Sequence, residues 1–173
     1  MKKEIQRSLD SQLGQLLLNE LRELYGAEKQ QLIVLPLLKK AASSLKLKNV
    51  CASHLDDTRE HVRRLEAIFG LLGAPAEAHA PEAIFGITRE AEQVIASTAP
   101  DTATRDAGLI VAAQKLDHYE ISTYGSLATH ARNLDIDDIE ELLELSLYEE
   151  KESDDLLTAL AENYINTEAS REG

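Results

Sequence analysis

The sequence predicts an all-α fold, a four-helix bundle made of two antiparallel helical hairpins. Composition, periodicity and the lengths of the connections support this prediction. The chain of 173 residues contains only 8 Gly and 4 Pro, and it is rich in residues that favour helices. Apolar residues recur at helical spacing through four long segments. With 43% hydrophobic residues the chain can build one core, so we expect a single domain over residues 1–173.

Helical periodicity and polar breaks define the elements in chain order. The first helix ends before the break at Ser43 and Ser44, and the second ends before Gly73. A segment rich in Pro, Gly and Ala then precedes a short helix, and Asp101 or Thr104 is the expected N-cap of the third long helix. The fourth long helix follows the turn NLDID. The predicted helices are 5–42, 48–72, 87–97, 105–132 and 137–166.

The lengths of the connections predict the topology. Only a few residues join the first two long helices, and the same holds for the last two, so each pair must form an antiparallel hairpin. About thirty residues lie between the hairpins, which is enough to return along the length of a bundle. A single long crossover that contains a short fifth helix is the ferritin-like arrangement of the four-helix bundle.

The charge and the apolar runs exclude several functions. The formal net charge of -13 and the pI near 4.8 repel phosphate backbones and anionic lipids, so we expect neither nucleic-acid binding nor membrane binding. The longest apolar run, LIVLPLL, is too short to span a bilayer, and the N-terminus lacks the apolar core of a signal peptide. Cys51 is the only cysteine, so the chain has no disulfide framework. We therefore expect a cytoplasmic protein.

Several acids interrupt the apolar faces of the long helices. Glu28 lies at the centre of a leucine face on the first helix. Glu120 has the same position on the third long helix, with Asp117 on the flank of that face. Glu150 and Asp154 lie within the apolar face of the fourth long helix. The same spacing assigns three neighbouring acids to solvent: Glu149, Glu152 and Asp155.

The second helix has the least distinct face. His54 and His61 lie just inside its edge, and Asp57 lies on its flank. We interpret His54 as a core residue that is hydrogen-bonded to a neighbour, with a role as a metal ligand as the alternative. His61 and Asp57 instead belong to a spacing that the two hairpins share. In each hairpin one carboxylate is followed, after 29 residues in the first and 30 in the second, by a pair four apart: Glu28 by Asp57 and His61, and Glu120 by Glu150 and Asp154.

These residues can share one layer of the core, which would concentrate negative charge there. Burial of an unpaired carboxylate is costly, and no Lys or Arg lies on the four apolar faces at that height. The acids must therefore be protonated, hydrated or bound to cations. Two divalent ions would supply about four positive charges, and oxygen donors with a histidine suit iron or manganese better than zinc.

Four segments of the chain resemble a known family. They are ELRELYGAEKQQL at 20–32, SHLDDTREHVRRLEAIFGLLG at 53–73, RDAGLIVAAQKLDHYEISTYGSL at 105–127 and EEKESDDLL at 149–157. These segments resemble the YciE/YciF family of ferritin-like stress proteins, which are related to rubrerythrin. The resemblance implies a dimeric four-helix bundle with a dinuclear metal site. Carried over by position, the inward acids of the family fall on Glu28, Asp57, Asp117, Glu120, Glu150 and Asp154.

Two departures from the family pattern affect the expected coordination. Asp57 and Asp117 stand where the family commonly has glutamate, and their shorter side chains favour terminal or water-mediated ligation. The ferritin-like Glu-x-x-His pair has a spacing of three residues, whereas the inward pairs of this chain are four apart. Glu60, three residues after Asp57, faces outward. We therefore predict a coordination unlike that of ferritin.

The leading hypothesis is a dinuclear iron or manganese protein that reacts with oxygen or hydrogen peroxide in a stress response. Ferroxidase, peroxidase and catalase-like activities all fit such a site. We expect a homodimer from the family resemblance. The alternative is a non-enzymatic helical stress scaffold with a hydrated acidic core. Glu28 and either Glu120 or Glu150 would bridge the two ions, and Asp57, His61 and Asp154 would be terminal ligands. The predicted ligands are Glu28, Asp57, His61, Asp117, Glu120, Glu150 and Asp154.

Overall fold

The computed structural model describes residues 9–172, and every regular element in this part of the chain is helical. A π-helical segment, Ala161–Ile165, separates the last two α-helices. The α-helices are α1 (Gln12–Ala41), α2 (Leu45–Leu72), α3 (Glu82–Ser97), α4 (Ala103–Asn133), α5 (Asp137–Leu160) and α6 (Asn166–Ala169).

The four long helices α1, α2, α4 and α5 form the bundle. Residues 42–44 join α1 to α2, and residues 134–136 join α4 to α5, so each pair is an antiparallel hairpin. Helix α1 packs against α2 and α4, and α5 packs against α4 and α2. The long crossover between the hairpins contains α3, which packs against α4 and α1. The fold is therefore the predicted ferritin-like bundle.

Local signals begin and end these helices. Ser11, Ser44 and Thr102 are N-caps, and each side chain accepts a hydrogen bond from the backbone N–H three residues later. Gly73 ends α2 in the left-handed conformation with a φ of 66°, which glycine adopts without steric cost. Short polar side chains thus begin α1, α2 and α4, and one glycine ends α2.

Several predicted boundaries differ from the structure. Helix α3 begins at Glu82 rather than at residue 87, because Ile84 is fully buried and its packing favours the additional turn. Thr102, and neither Asp101 nor Thr104, is the N-cap of α4. Helix α2 begins at Leu45 rather than at residue 48, and α1 begins at Gln12. The predicted start of the first helix at residue 5 lies outside the described residues.

Two glycines allow the crossover to lie close to the bundle. The His79 N–H donates to the Arg22 carbonyl at 3.0 Å. A Cβ at Gly26, one turn further along α1, would collide with the His79 carbonyl oxygen. Gly108 of α4 similarly leaves room for the side chain of Val94 on α3. The absence of a side chain at these two glycines therefore allows the crossover to approach α1 and α4 closely.

Two apolar cores fill the bundle. Core A lies near the turn between α1 and α2 and includes Leu38, Leu47, Leu109 and Leu157. Core B lies near the turn between α4 and α5 and includes Leu21, Leu24, Phe69, Leu127 and Leu143. Across residues 9–172, no helix has both the length and the apolar character needed to cross a membrane.

Candidate metal centre

A layer of buried polar side chains separates core A from core B. On α1, for example, Glu28 and Gln31 lie between Leu24 of core B and Val34 of core A. The same order of core, polar layer and core holds along each of the other long helices. The members of this polar layer are Glu28, Gln31, His54, Thr58, His61, Asp117, Glu120, Ser146, Glu150 and Ser153.

Helix α2 presents two histidines to the polar layer. The side chain of His54 is 3% exposed and that of His61 is completely buried. Both lie at the centre of the buried face of α2, whereas the sequence pattern suggested its edge. The signal was present in the sequence, because all buried positions of α2 except 69 alternate steps of three and four residues. They are 47, 51, 54, 58, 61, 65, 68 and 72.

Glu28, His61 and Glu150 form the first group of donors, with ligand atoms within 4.8 Å of one another. The Nδ1 atom of His61 lies 3.2 Å from Oε1 of Glu28 and 3.2 Å from Oε1 of Glu150. The hydroxyl of Tyr124 donates to Oε1 of Glu28 at 2.5 Å. This bond orients the carboxylate, so four helices together determine the geometry of the first group.

His54, Asp117 and Glu150 form the second group, again within 4.8 Å. Nε2 of His54 lies 3.2 Å from Oε1 of Glu150, and Nδ1 lies 3.6 Å from Oδ1 of Asp117. The hydroxyl of Ser153 is 3.2 Å from the same Nδ1. Because Glu150 belongs to both groups, one carboxylate connects two neighbouring sets of donors.

Glu120 lies in the polar layer but outside both groups. One of its oxygens accepts a hydrogen bond from the side-chain amide of Gln31. The other, Oε1, is buried and has no hydrogen-bond partner. Burial raises the pKa of Glu120 well above its usual range, and the charges of Glu28, Glu150 and Asp117 raise it further. Glu120 is therefore a fourth carboxylate of the layer, close enough to the two groups for their charges to raise its pKa.

A hydrogen-bonded chain links His61 to the surface. Its Nε2 lies 2.9 Å from Oε2 of Glu149, and Nη2 of Arg64 donates to Oε1 of Glu149 at 2.9 Å. Arg64 also donates to Ser146 at 3.1 Å. The expectation that Glu149 faces solvent is wrong, since its side chain is only 23% exposed and is paired on both oxygens. Glu149 binds Nε2 of His61, so that Nδ1 points toward Glu28 and Glu150.

Burial and charge also shift the pKa values of the donors. Burial raises the pKa of Asp117, and the nearby charge of Glu150 adds to the effect although His54 opposes it. Burial by itself lowers the pKa of a histidine, but Glu150 and Asp117 raise that of His54 to about 9. Glu28, Glu149 and Glu150 raise the pKa of His61 to about 12. Without metal, both histidines are therefore protonated on both ring nitrogens and positively charged at neutral pH.

Asp57 and Asp154 lie outside both groups. Asp57 is half-buried in the wall of a cleft between α2 and α5. Asp154 turns toward α4, where it accepts a hydrogen bond from Gln114 at 3.0 Å and lies 3.1 Å from Nε2 of His118. The metal-ligand role of these two aspartates stays a prediction.

The buried carboxylates leave several oxygens without partners. They are Oε2 of Glu28, both oxygens of Asp117, Oε1 of Glu120 and Oε2 of Glu150. Within residues 9–172, no other buried carboxylate oxygen lacks a hydrogen bond. Buried polar atoms in proteins are nearly always paired, and carboxylate oxygens with imidazole nitrogens are donors that divalent metals bind. The residues present therefore fit a metal ion.

Comparison with known proteins identifies similar sequences. The model of a family described as "Domain of unknown function (DUF892)" matches residues 12–170. Protein YciF of Escherichia coli strain K12 is 39% identical over 150 residues, which are 86% of this chain and 90% of YciF. The resemblance predicted from the four sequence segments is thereby confirmed.

Solved structures show the same architecture. The crystal structure of the E. coli stress protein YciF matches with a TM-score of 0.85 and 36% identity, over 90% of this chain and 98% of that chain. YcfI from Rhodopseudomonas palustris matches with a TM-score of 0.83 and 34% identity, over 86% and 94%. A protein from Xanthomonas campestris shares the fold with a TM-score of 0.70 at 18% identity, over 93% and 98%.

Proposed function

The chain belongs to the DUF892 family, and we propose that it is a dinuclear metal–carboxylate protein that binds iron or manganese in its polar layer. The bound ions would supply redox chemistry toward oxygen or hydrogen peroxide, in a stress response like that suggested by the description of YciF as a stress protein. One observation carries the proposal. It is the set of unpartnered buried carboxylate oxygens around two histidines.

The two donor groups suggest one ion each. Glu28 and His61 would hold the first ion, and His54 and Asp117 would hold the second. Glu150 would serve both, because its Oε1 lies 3.2 Å from a nitrogen of each histidine. Two divalent ions also offset the negative charge that the layer concentrates. This assignment uses five donor residues from four different helices. The packing of the helices therefore fixes the number and the orientation of the ligands.

The surrounding residues orient and protect this centre. When bound, iron or manganese supplies one-electron redox chemistry that side chains lack. Tyr124 orients Glu28 through its hydroxyl, and Glu149 with Arg64 orients His61. Cores A and B exclude water on both sides of the layer, which strengthens the electrostatic interactions within it. The predicted homodimer and the identity of the oxidant remain proposals.

Metal analysis tests the proposed function directly. Protein purified without chelator and reconstituted with ferrous or manganous ion should hold about two ions per chain. Binding should also raise the melting temperature, because the ions bind the folded state. A content below about one ion per chain after reconstitution would contradict the proposal. Ferrous oxidation followed with oxygen and with peroxide as alternative oxidants then identifies the reaction.

A matched pair of variants ties the metal to the two groups. Glu150→Gln keeps the shape of the side chain but removes the charge common to both groups, so bound metal should fall to nearly none. Glu141→Gln makes the same change at an exposed position of α5 and should keep the full content. Equal metal content in the two variants would place the ions elsewhere in the molecule.

A further inference from the structure

A cleft between α2 and α5 opens beside the polar layer. It has a volume of about 290 Å³. We call it the α2–α5 cleft, and it is lined by Val50, Ser53, His54, Asp57, Glu149, Glu152, Ser153 and Leu156. Ser53, Glu152 and Leu156 are exposed, whereas His54 and Ser153 are buried. The cleft thus leads from solvent to a wall formed by two residues of the layer.

His54, a donor of the second group, lines this cleft and contacts the other two donors of that group. Its Nδ1 lies 3.2 Å from the hydroxyl of Ser153, which also lines the cleft. The same Nδ1 lies 3.6 Å from Oδ1 of Asp117, and Nε2 lies 3.2 Å from Oε1 of Glu150. Both oxygens of Asp117 are buried without a hydrogen bond. A solute in the cleft is therefore one side chain away from unpartnered carboxylate oxygens.

The charge of the cleft favours a cation. Three carboxylates line it, those of Asp57, Glu149 and Glu152, and no lysine or arginine occurs among the described residues of its lining. Arg64 neutralises Glu149 from outside the cleft. Asp57 and Glu152 therefore remain as the negative charges of the opening. A cleft with charge of one sign raises the local concentration of counter-ions and their rate of association.

Two other clefts of the molecule do not reach the layer. One, of about 760 Å³, lies at the end of the bundle between Ser43, Lys46, Tyr164 and Arg171. The second, of about 250 Å³, lies between α1 and α4 near Glu20. Neither is lined by a member of the polar layer. Size alone would favour the first, but only a route that ends at a donor can deliver a metal ion.

We infer that the α2–α5 cleft is the entrance through which a hydrated divalent cation reaches the polar layer. Asp57 and Glu152 attract the ion, and His54 is the first donor of the second group that it meets. This inference rests on the proposed metal-binding function and adds a pathway to it. It concerns the rate of uptake, whereas the donor groups determine how much metal is bound.

The charge of the entrance is tested by the rate of manganous ion uptake into metal-free protein. Free manganous ion has an electron paramagnetic resonance signal that is lost on binding, which gives the time course. Glu152→Gln should slow uptake about threefold at low ionic strength, and the difference should vanish in about 1 M salt. The control Glu141→Gln removes the same charge from α5 away from the cleft and should leave the rate unchanged.

The route itself is tested by blocking it. Ser53→Trp places an indole at an exposed position of the cleft wall and should slow uptake about tenfold or more, with the same final content. Gln93→Trp adds the same ring to an exposed position on α3, outside the cleft, and should have no effect. Circular dichroism melts verify that both variants are folded.

The outcomes separate the entrance from the proposed function. Unchanged rates in both Glu152→Gln and Ser53→Trp, with full metal content, would overturn the entrance and leave the metal site intact. A wild-type protein that takes up no manganous or ferrous ion would overturn both. Asp57→Asn decides the role of Asp57: slower uptake with full content supports the entrance, whereas reduced content would make Asp57 a ligand.

Discussion

The polar layer and core B are neighbours on the same four helices, yet they contribute to stability in opposite ways. In core B, fully buried side chains such as Leu21 and Leu143 stabilise the fold by about 2 kcal/mol each. In the polar layer, Glu28, Glu120 and Glu150 are equally buried but keep oxygens without hydrogen bonds. Buried carboxylate oxygens of this kind destabilise a protein unless a hydrogen-bond donor or a cation binds them.

This difference arises from side-chain chemistry alone, because the helical backbone is continuous through both regions. The spacing of buried residues on α5 is the same at Ile139 and Leu143 in core B as at Glu150 in the layer. The comparison indicates that the cores hold the bundle together, while the layer is the part that the proposed function assigns to metal binding. Three predictions test this division, in order of decreasing effect.

The largest effect is expected for Leu143→Ala in core B. Removing a fully buried leucine side chain leaves a cavity and should lower the free energy of unfolding by about 3 kcal/mol. Denaturant unfolding of the metal-free protein measures this loss. The variant should still bind the full complement of metal, because Leu143 belongs to core B and is not a donor. Loss of metal in a folded Leu143→Ala protein would show that core B also sets the geometry of the layer.

A smaller effect, of opposite sign, is expected for Gln31→Leu combined with Glu120→Leu in the layer. The double change removes both partners of one buried hydrogen bond and should raise the stability of the metal-free protein by about 1 to 2 kcal/mol. Gln31→Leu alone leaves Glu120 without a partner and should instead be destabilising. Thermal melts with and without metal measure all three proteins.

The same double variant distinguishes the metal protein from the hydrated scaffold. In a metal protein, loss of a layer carboxylate should reduce the additional stability that metal confers on the wild type. In a scaffold, metal confers none on either protein, and the double variant is the more stable under both conditions. Equal melting temperatures of wild type with and without metal would favour the scaffold.

The smallest effect, about 1.4 kcal/mol for each proton and each pH unit, concerns pH. The pKa values of His54 and His61, about 9 and about 12, lie above the usual histidine value, so their ion pairs stabilise the metal-free protein fully below about pH 6.5. That contribution is lost as the pH rises through about 9 and above. A metal ion needs the neutral imidazole and must displace these protons.

Metal affinity should therefore rise with pH. The expected slope is about tenfold per pH unit, or about 1.4 kcal/mol, for each proton released. Titrations with manganous ion at about pH 6, 7 and 8 measure the affinity, and calorimetry in buffers of different ionisation enthalpy counts the protons. An affinity independent of pH would contradict the pKa values of the two histidines and their place among the donors.

Much of the site was predictable from the sequence, and the exceptions have a common cause. Glu28, Glu120 and Glu150 interrupt faces that are otherwise apolar, so the helical period identifies them directly. On α2 the centre of the buried face is formed by His54, Thr58 and His61. The apolar residues Leu55 and Val62 are half-exposed, and including them in the apolar face displaced its predicted centre from the true one. An apolar average therefore misplaces a face whose middle is polar.

Glu149 and Asp154 show the same limit from the other direction. The period of α5 placed Glu149 in solvent and Asp154 inside, but Glu149 reaches His61 and Arg64 of α2, while Asp154 turns toward Gln114 of α4. A helix in a bundle contacts two neighbours, and the period of one helix contains no information about where they lie. Partners 36 to 88 residues away along the chain decided both side chains.

By itself, the sequence determined the bundle, the two hairpins, the crossover and the three central glutamates, because all of these follow from helical period and connection length. Only the tertiary structure decided which donors meet. It placed His54 and His61 on either side of Glu150, tied Glu149 to His61, and moved Asp57 into the wall of the α2–α5 cleft. Those contacts depend on the rotation and approach of whole helices, which the packing of four helices sets jointly.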